Sequence, residues 1–266
     1  MARLGYNWNA QDYANNSANQ FQWAKELIPK LHLRCNEALL DLGCGDGKIT
    51  AELAKCLPLG KAVGIDSSKQ MINLARNSFP ERDYVNLSFK VMDARKLTFL
   101  TEFDIVFSNA ALHWIVDHKA VLSGVQRSLK PGGRILFQMA GKGNAKDVID
   151  ILDELVPVDP WRQYFTNFSF PYGFYDTKDY KAFLSEAGLV AGRVELFPKD
   201  MKLDGAAGLA GWIRTTWMPF TQKLPERLRA RFIDEIVRHY VELHPADLAG
   251  TVHVGMMRLE VEAFRP

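Results

Sequence analysis

A short apolar segment that runs into a glycine-rich turn restricts the fold of this chain more than any other feature. Residues 38–50 read Ala-Leu-Leu-Asp-Leu-Gly-Cys-Gly-Asp-Gly-Lys-Ile-Thr, and apolar residues then recur at helical spacing. The pattern predicts a buried strand, a tight turn and a helix. Glycine tolerates positive φ and has no Cβ, so the backbone of such a turn can approach a small ligand closely.

The spacing of these glycines argues against two common nucleotide motifs. The dinucleotide fingerprint G-x-G-x-x-G needs its third glycine where this chain has Lys48, and Gly47 comes one residue too early. A P-loop is also absent, because no G-K-[ST] closes the turn. The turn alone therefore predicts a nucleotide-like ligand without identifying it.

Acidic residues end the neighbouring strands as well. Asp41 lies in the first predicted strand, Asp66 follows the strand at 61–65, and Asp93 follows the strand at 87–92. Asp66 stands about 20 residues after the turn, where an acid can bind ribose hydroxyls. The carboxyl ends of parallel strands share one edge of a sheet, so we expect the three acids to surround one ligand.

Strands and helices continue to alternate further along the chain. A fourth predicted strand at 103–107 runs into Ser-Asn-Ala-Ala-Leu-His-Trp at 108–114, and a Lys-Pro-Gly-Gly turn precedes a fifth strand at 134–139. Repeated β-α units of this kind predict an α/β fold with a doubly wound parallel sheet.

Helix-start signals fix several further elements. Ser67 with Gln70 predicts a capping box, and Asn144 predicts the cap of a helix that runs to residue 155. Asp176 is expected to cap a helix that Gly188 ends.

Taken together, these motifs resemble the class I S-adenosylmethionine-dependent methyltransferases. The match runs in order and spacing from Leu-Asp-Leu-Gly-Cys-Gly-Asp-Gly to Leu-Lys-Pro-Gly-Gly-Arg-Ile-Leu-Phe, within residues 38–139. The resemblance implies a seven-stranded, mostly parallel sheet with an antiparallel last strand and a helical lid. It also implies S-adenosylmethionine as the methyl donor, S-adenosylhomocysteine as the product, and no metal.

The resemblance assigns the cofactor to residues at strand ends and in the turns that follow them. Asp41 would hold the methionine part, together with the backbone of the glycine turn. Asp66 would bind both ribose hydroxyls, Asp93 would accept a hydrogen bond from the adenine amino group, and Asn109 would lie near the sulfonium. The complete implied set is Asp41, Gly43, Cys44, Gly45, Asp66, Ser67, Met71, Asp93, Ala94 and Asn109.

The chain is expected to divide into four segments. Residues 1–34 form an N-terminal helical cap, and residues 35–140 form the S-adenosylmethionine-binding core. Residues 141–250 supply substrate-side loops, one core helix and strand, and a helical lid, while residues 251–266 supply the last core strand.

Three stretches of the second half are residues 212–220, a Leu-Pro-Glu helix start at 224–226 and a terminal strand with Arg-Leu-Glu-Val at 258–261. They resemble the trans-aconitate methyltransferase group, whose acceptor is a carboxylate. Arg214 is the candidate cation for that carboxylate, since a carboxylate needs a donor to orient it. Those enzymes have Leu-Arg before the lid proline, whereas this chain has Trp217-Met218, so the identity of the acceptor stays open. The candidate acceptor residues are Tyr13, Trp114, Trp212, Arg214 and Trp217.

His113 is the candidate catalytic residue. A carboxylate is ionised at neutral pH and needs no base, whereas a phenol, alcohol or amine needs a base near the sulfonium. His113 stands in the position for that base, and the alternative is a packed, hydrogen-bonded histidine. The leading prediction is therefore O-methylation of a small carboxylic acid; N-, C- or phenol O-methylation with His113 as base, methylation of a macromolecule, and a dinucleotide-dependent oxidoreductase are the alternatives.

Composition narrows the partners. The net charge is +2 without a basic run, and residues 108–111 lack the N-P-P-[YF] tetrapeptide of amine-methylating nucleic-acid enzymes, so no nucleic-acid partner is expected. The three cysteines lack metal-ligand spacing, and no apolar run approaches the ~18 residues of a spanning helix. We expect a cytoplasmic enzyme with a small-molecule acceptor and no membrane association.

Overall fold

The computed structural model describes residues 18–266, with side chains from residue 21 onward. A seven-stranded sheet has the spatial order β3-β2-β1-β4-β5-β7-β6. Its strands are β1 (Ala38–Leu42), β2 (Lys61–Asp66), β3 (Leu87–Val91), β4 (Phe103–Asn109), β5 (Leu129–Ala140), β6 (Val190–Asp204) and β7 (Thr251–Phe264).

Helices connect these strands. In chain order they are α1 (Ala18–Leu27), α2 (Lys48–Lys55), α3 (Lys69–Ser78), α4 (His118–Ser128), α5 (Lys146–Leu155), α6 (Thr177–Glu186), α7 (Gly205–Thr216), α8 (Met218–Thr221) and α9 (Glu226–Leu243). Short 3-10 turns follow α1 at Ile28–Leu31, β3 at Ala94–Lys96 and β4 at Leu112–Trp114.

The strand directions confirm the predicted fold class. Strands β1 to β5 pair in parallel, and β7 lies antiparallel to β5 with Ala140 opposite Arg258. The chain order reverses between β1 and β4, which is the point where open α/β sheets bind their ligands.

Apolar clusters cover both faces of the sheet, which is why the central strands β1 and β4 are largely apolar and buried. Val106, Phe137 and Tyr180 belong to a buried cluster that joins the sheet to α4 and α6. Phe107 and Leu27 belong to a second cluster, which joins the opposite face to α1, α2 and α3. Successive residues of β4, such as Val106 and Phe107, therefore belong to different clusters, because successive side chains of a strand point to opposite faces of the sheet.

The described chain forms two compact units. The first, here the core unit, comprises residues 18–142, 172–197 and 258–266, and the second unit comprises residues 143–171 and 198–257. The core unit contains β1 to β5 with their helices, together with the adjoining halves of β6 and β7. The four-segment division expected from the sequence stays a prediction.

Aromatic side chains pack the second unit. Trp161 is buried against Phe232 with ring centroids 4.9 Å apart, and its indole N–H donates to Glu235 Oε2 at 2.7 Å. A buried tryptophan needs such an acceptor for its N–H group. These contacts connect the loop at residues 157–165 to the long helix α9.

A charged cluster joins β6 to β7 on the exposed side of the second unit. The His253 ring contacts Asp200 Oδ2 through Nδ1 at 2.8 Å and Asp247 Oδ2 through Nε2 at 3.1 Å. These two carboxylates raise the pKa of His253 above its usual value. The cluster therefore favours a protonated His253, in which both ring nitrogens donate.

The helix-start predictions had three different outcomes. Asp176 caps α6 in a complete capping box, and Gly188 adopts φ +74° after the helix, as predicted. The predicted cap Ser67 is wrong by one residue, because Ser68 accepts the hydrogen bond from the Met71 amide. The predicted cap Asn144 is wrong: its side chain accepts from the Met257 amide, and α5 begins without a side-chain cap.

Candidate functional site

The glycine turn after β1 folds back onto β2 through the backbone. The amides of Gly43 and Cys44 both donate to the Ile65 carbonyl, at 2.8 and 2.9 Å, and the Gly47 amide donates to the Cys44 carbonyl at 3.0 Å. These hydrogen bonds hold the turn in place at the carboxyl ends of β1 and β2.

The three glycines of the turn are not required for the same reason. A Cβ on Gly43 would lie 2.2 Å from the Ala111 Cβ, and a Cβ on Gly47 would lie 2.6 Å from the Phe89 ring. These two positions must be glycine for packing. Gly45 has φ +54°, yet a Cβ there would meet no atom of the described residues within 4 Å. The backbone at Gly45 thus borders open space, as a ligand-contacting glycine would.

Asp66 connects the turn to the end of β2. Its Oδ2 accepts from the Gly45 amide at 3.1 Å, and its Oδ1 accepts from the Ser68 amide at 2.8 Å. Burial raises the pKa of Asp66, and the two backbone hydrogen bonds partly offset this rise. Each oxygen of an ionised carboxylate has a second lone pair for a ligand hydroxyl.

Asp41 lies fully buried in β1, below the turn. Thr50 Oγ1 donates to its Oδ2 at 2.7 Å. Burial and, to a smaller extent, the negative charge of Asp66 raise the pKa of Asp41 to about 7, although the Thr50 hydrogen bond opposes this rise. A buried carboxyl whose pKa is raised by a neighbouring carboxylate favours a positively charged group beside it.

Asp93 caps the 3-10 turn after β3 and pairs with Arg95. The Arg95 guanidinium donates to both carboxylate oxygens, at distances from 2.5 to 3.1 Å. This hydrogen-bonded pair holds the pKa of Asp93 below its usual value. Asp93 therefore stays an ionised, acceptor-only group that is oriented by its neighbour.

The other predicted cofactor residues differ in exposure. Ser67 is exposed at the start of the β2–α3 connection. Met71 in α3 and Ala94 in the 3-10 turn after β3 are buried. Cys44 is buried within the turn, and burial raises the pKa of its thiol well above the usual value. A neutral, buried thiol contributes packing at this position and is a poor nucleophile.

The end of β4 turns sharply toward His113. β4 ends at Asn109, and Ala110 adopts φ +52° while its amide donates to the Gln138 carbonyl at 2.8 Å. The 3-10 turn Leu112–Trp114 follows, and the His113 carbonyl accepts from the Gly173 amide at 2.9 Å. The backbone on both sides of His113 is thus fixed.

The His113 ring is enclosed by aromatic side chains. Its centroid lies 5.7 Å from the Trp114 ring and 6.2 Å from the Phe174 ring. The Nδ1 atom is buried and makes no hydrogen bond within the described chain. Burial, the positive charge of Arg258 and His118 together hold the pKa of His113 well below its usual value. The imidazole is therefore neutral at physiological pH and a weak base.

The predicted acceptor residues of the lid lie in the second unit. Trp212 and Trp217 are both buried there, and their rings meet edge to face at 5.9 Å. Arg214 is exposed on α7, the helix that contains Trp212 and ends just before Trp217. Trp114 belongs to the core unit and packs edge to face on Tyr172 at 5.2 Å. Tyr13 lies outside the described residues.

Sequence reasoning assigned no role to Arg258. This residue is 2% exposed at the start of the paired part of β7, and its guanidinium lies 5.2 Å from the centre of the Trp23 ring. A charged residue within the apolar sequence Met-Met-Arg-Leu-Glu-Val was the available signal, since arginine is almost never fully buried without a reason. Thr50, the partner of Asp41, was also missed.

Residues 18–266 contain no group of three or more His, Cys, Asp or Glu side chains arranged to hold a metal ion. In the same residues, no helix is both long enough and apolar enough to cross a membrane.

Comparisons with known proteins agree with this geometry. A family model described as a methyltransferase domain matches residues 33–187. An uncharacterized methyltransferase of Schizosaccharomyces pombe, C70.08c, is 32% identical over 82% of this chain and 84% of its own length. A trans-aconitate 2-methyltransferase of Variovorax paradoxus is 28% identical over 96% of this chain and 97% of its own.

A solved structure shares the fold. Haemonchus contortus phosphoethanolamine N-methyltransferase 2, in complex with S-adenosyl-L-methionine, superposes with a TM-score of 0.60 at 17% identity, over 97% of this chain and 56% of that chain. The match to the family covers more than half of the sequence. The chain thus belongs to the methyltransferase-domain family and is an S-adenosylmethionine-dependent methyltransferase.

Proposed function

We propose that this enzyme transfers a methyl group from S-adenosylmethionine to the carboxylate of a small molecule. The observation that carries the proposal is the weak basicity of His113, the titratable side chain that follows β4 at the carboxyl edge of the sheet. An acceptor that needs no base suits such a site.

The residues around the glycine turn fit the cofactor. Gly45 borders open space, and Asp66 has lone pairs available for two ribose hydroxyls. Asp41 would compensate the ammonium of the methionine part, and Asp93 would accept from the adenine amino group. When bound, the cofactor supplies a methyl group that is already activated by its sulfonium. The roles of Ser67, Met71, Ala94 and Asn109 stay predictions.

The charge state of the acceptor decides between the chemical alternatives. A free carboxylic acid has a pKa near ~4, so its oxygen is already a nucleophile at neutral pH. A phenol or a protonated amine must lose a proton, and a buried imidazole with a lowered pKa accepts it poorly. With an ionised acceptor, the protein needs only to orient it and exclude water.

Similarity along the whole chain supports the same class of acceptor. The Variovorax trans-aconitate 2-methyltransferase aligns with nearly the full length of both proteins, so the similarity includes the second unit. Its name says that its acceptor is trans-aconitate, an acid. We propose that Trp114, Trp212, Arg214, Trp217 and Tyr13 contribute to the acceptor site of this enzyme.

Labelled-methyl transfer to a panel of metabolites tests the proposal. The panel contains carboxylic acids, phenols and amines of similar size, and each product is treated with mild base. We expect a product that releases labelled methanol, which identifies a methyl ester. A base-stable product would instead support phenol O-, N- or C-methylation.

The variant His113→Gln separates the two mechanisms. Glutamine keeps an N–H donor but cannot act as a base near neutral pH. We expect the rate constant for ester formation to stay within about tenfold of the wild-type value, because general-base catalysis contributes about 100-fold or more where it operates. A loss of that larger size would show that His113 removes a proton.

A further inference from the structure

The carboxyl edge of the sheet holds a permanently charged side chain that the proposed mechanism has not used. β7 runs antiparallel to β5, so the start of its paired segment lies at the end of β5, with Arg258 opposite Ala140. β5 and β4 are parallel, with Gln138 opposite Asn109. Arg258 is thus at the sheet edge where the candidate cofactor residues lie.

The pleat places this arginine on the same face as Asn109. Leu259 and Val261 belong to the buried cluster on the α4 and α6 side, so the alternate residue Arg258 points to the α1 side. Phe107 belongs to the cluster on the α1 side, and Asn109 alternates with it in the same way. Arg258 lies two strands away from Asn109, which is roughly 10 Å across the sheet. It also lies two residues further along the strand direction, which is roughly 7 Å.

The guanidinium is held in a fixed orientation. It lies over the Trp23 ring of α1, and the residue is almost fully buried. An arginine cannot lose its charge in a protein, so this position keeps a cation under all physiological conditions. Its planar array of N–H donors matches the two oxygens of a carboxylate.

The same face carries a layer of charged side chains beside it. Glu260 accepts from Lys30 at 2.7 and 2.9 Å and from Gln138 at 3.1 Å, and Arg193 contacts both Glu260 and Glu262. Arg193 also contacts Glu195 at 3.3 Å, so with Arg258 this layer contains three cations and three carboxylates among the described residues. Arg258 lies at the end of the layer that is nearest the carboxyl edge of the sheet.

We propose that Arg258 binds and orients the carboxylate of the methyl acceptor and thereby selects anionic acceptors. This inference rests on the proposed function, and it assigns a specificity-determining residue within the core unit. The charge of Arg258 also reaches His113, whose pKa it lowers. An acceptor beside Arg258 would therefore be near the predicted sulfonium side of the site.

Kinetics of the variants Arg258→Gln and Arg258→Lys test this role. The probes are trans-aconitate and decanoate, and the acid that the wild-type enzyme methylates better is used for the variants. For Arg258→Gln we expect KM for the acid to rise roughly 10- to 100-fold, the loss of a charge-assisted contact, while S-adenosylhomocysteine affinity changes less than about threefold. Arg258→Lys keeps the charge but not the paired N–H donors, so its KM for the acid should lie between those of the wild type and Arg258→Gln.

Chemical rescue separates binding from a structural role. Guanidinium ions added to Arg258→Ala at concentrations below those that unfold the enzyme should restore part of the lost activity toward the acid. The matched control is Arg193→Gln, which removes an arginine from the same charged layer. Arg193→Gln should lower the melting temperature without changing KM for the acid.

The outcomes distinguish the two proposals. If the wild-type enzyme forms an ester but Arg258→Gln has an unchanged KM, Arg258 has only a packing role and the inference is wrong. The inference is also wrong if Arg193→Gln raises KM for the acid as much as Arg258→Gln does and guanidinium does not restore activity to Arg258→Ala. If the wild-type enzyme methylates no carboxylic acid, the failure appears before any variant is made, and the proposed function is then wrong together with this inference.

Discussion

The substitution Gly45→Ala separates cofactor binding from folding. Gly45 has φ +54°, and a Cβ built on it would meet no atom of residues 18–266 within 4 Å. The expected folding penalty is therefore the left-handed backbone of an alanine, about 1–2 kcal/mol. In a chain of this length, that loss corresponds to a fall in melting temperature of roughly 2–8 °C.

The same substitution should also weaken the binding of S-adenosylhomocysteine. If the cofactor lies against the backbone at Gly45, the new methyl group occupies the space that the ligand needs. Overpacking by one methyl group costs about 1–3 kcal/mol, which weakens S-adenosylhomocysteine binding roughly 5- to 150-fold. Isothermal titration calorimetry measures this change directly, and circular dichroism measures the melting temperature of the same samples.

Gly132→Ala is the matched control. Gly132 has φ +75° near the start of β5, and a Cβ there also meets no atom of the described part of the chain within 4 Å. Its folding penalty should therefore be similar, whereas its distance from the carboxyl edge of the sheet should leave binding unchanged. If Gly45→Ala binds S-adenosylhomocysteine as tightly as Gly132→Ala, the open space at Gly45 is not a ligand site and the reasoning fails.

Further predictions concern packing and charge. Gly47→Ala should unfold at least about 3 kcal/mol more easily than the wild type in urea, because its Cβ would lie 2.6 Å from the Phe89 ring and its φ is +81°; a smaller loss would mean that the ring moves aside. Affinity for S-adenosylhomocysteine should fall about tenfold from pH 8 to pH 6, since Asp41, with a pKa of about 7, must be ionised to hold an ammonium; a flat pH profile would contradict this. Thr50→Val removes the hydrogen bond to that carboxylate, so the midpoint of the profile should move to higher pH. His253 has a raised pKa in the folded state, so its contribution to stability is complete below pH 6.5 and is lost as pH rises through the higher folded-state pKa. His253→Ala should therefore lower the melting temperature at pH 6 and have little effect at pH 9.

Local sequence patterns predicted the core of the fold because each pattern coincides with one physical requirement. The glycine turn, the buried strand before it and the acid at the end of β2 are adjacent in sequence and in space. The Asp66 contact with Gly45 spans 21 residues, yet parallel strands place their carboxyl ends together in any fold of this class. Such relations follow from topology alone.

The helix caps show where local patterns fail. Ser67 and Ser68 are both capping residues by type, and Asp66 decides between them by accepting from the Ser68 amide. Asn144 is equally suited to a cap, but its side chain binds the Met257 amide, 113 residues away. Propensity cannot predict which of two hydrogen bonds such a side chain makes, because the competing partner is distant in sequence.

Arg258 shows a second limit. In the sequence it is one charged residue in a terminal strand. Its burial over Trp23, its register with Ala140 and its effect on His113 depend on three separate segments of the chain. The role that we propose for Arg258 depends on contacts between such distant segments, so it is harder to predict from the sequence than the role of the cofactor turn.

A calorimetric titration of the purified enzyme with S-adenosylhomocysteine, repeated with NAD, tests the ligand assignment of the strand-end acids. We predict saturable one-to-one binding of S-adenosylhomocysteine and none of NAD. Asp66→Ala should weaken this binding by more than about tenfold, because it removes hydrogen bonds from a charged group. Binding of NAD without S-adenosylhomocysteine, or an Asp66→Ala variant with wild-type affinity, would contradict the assignment.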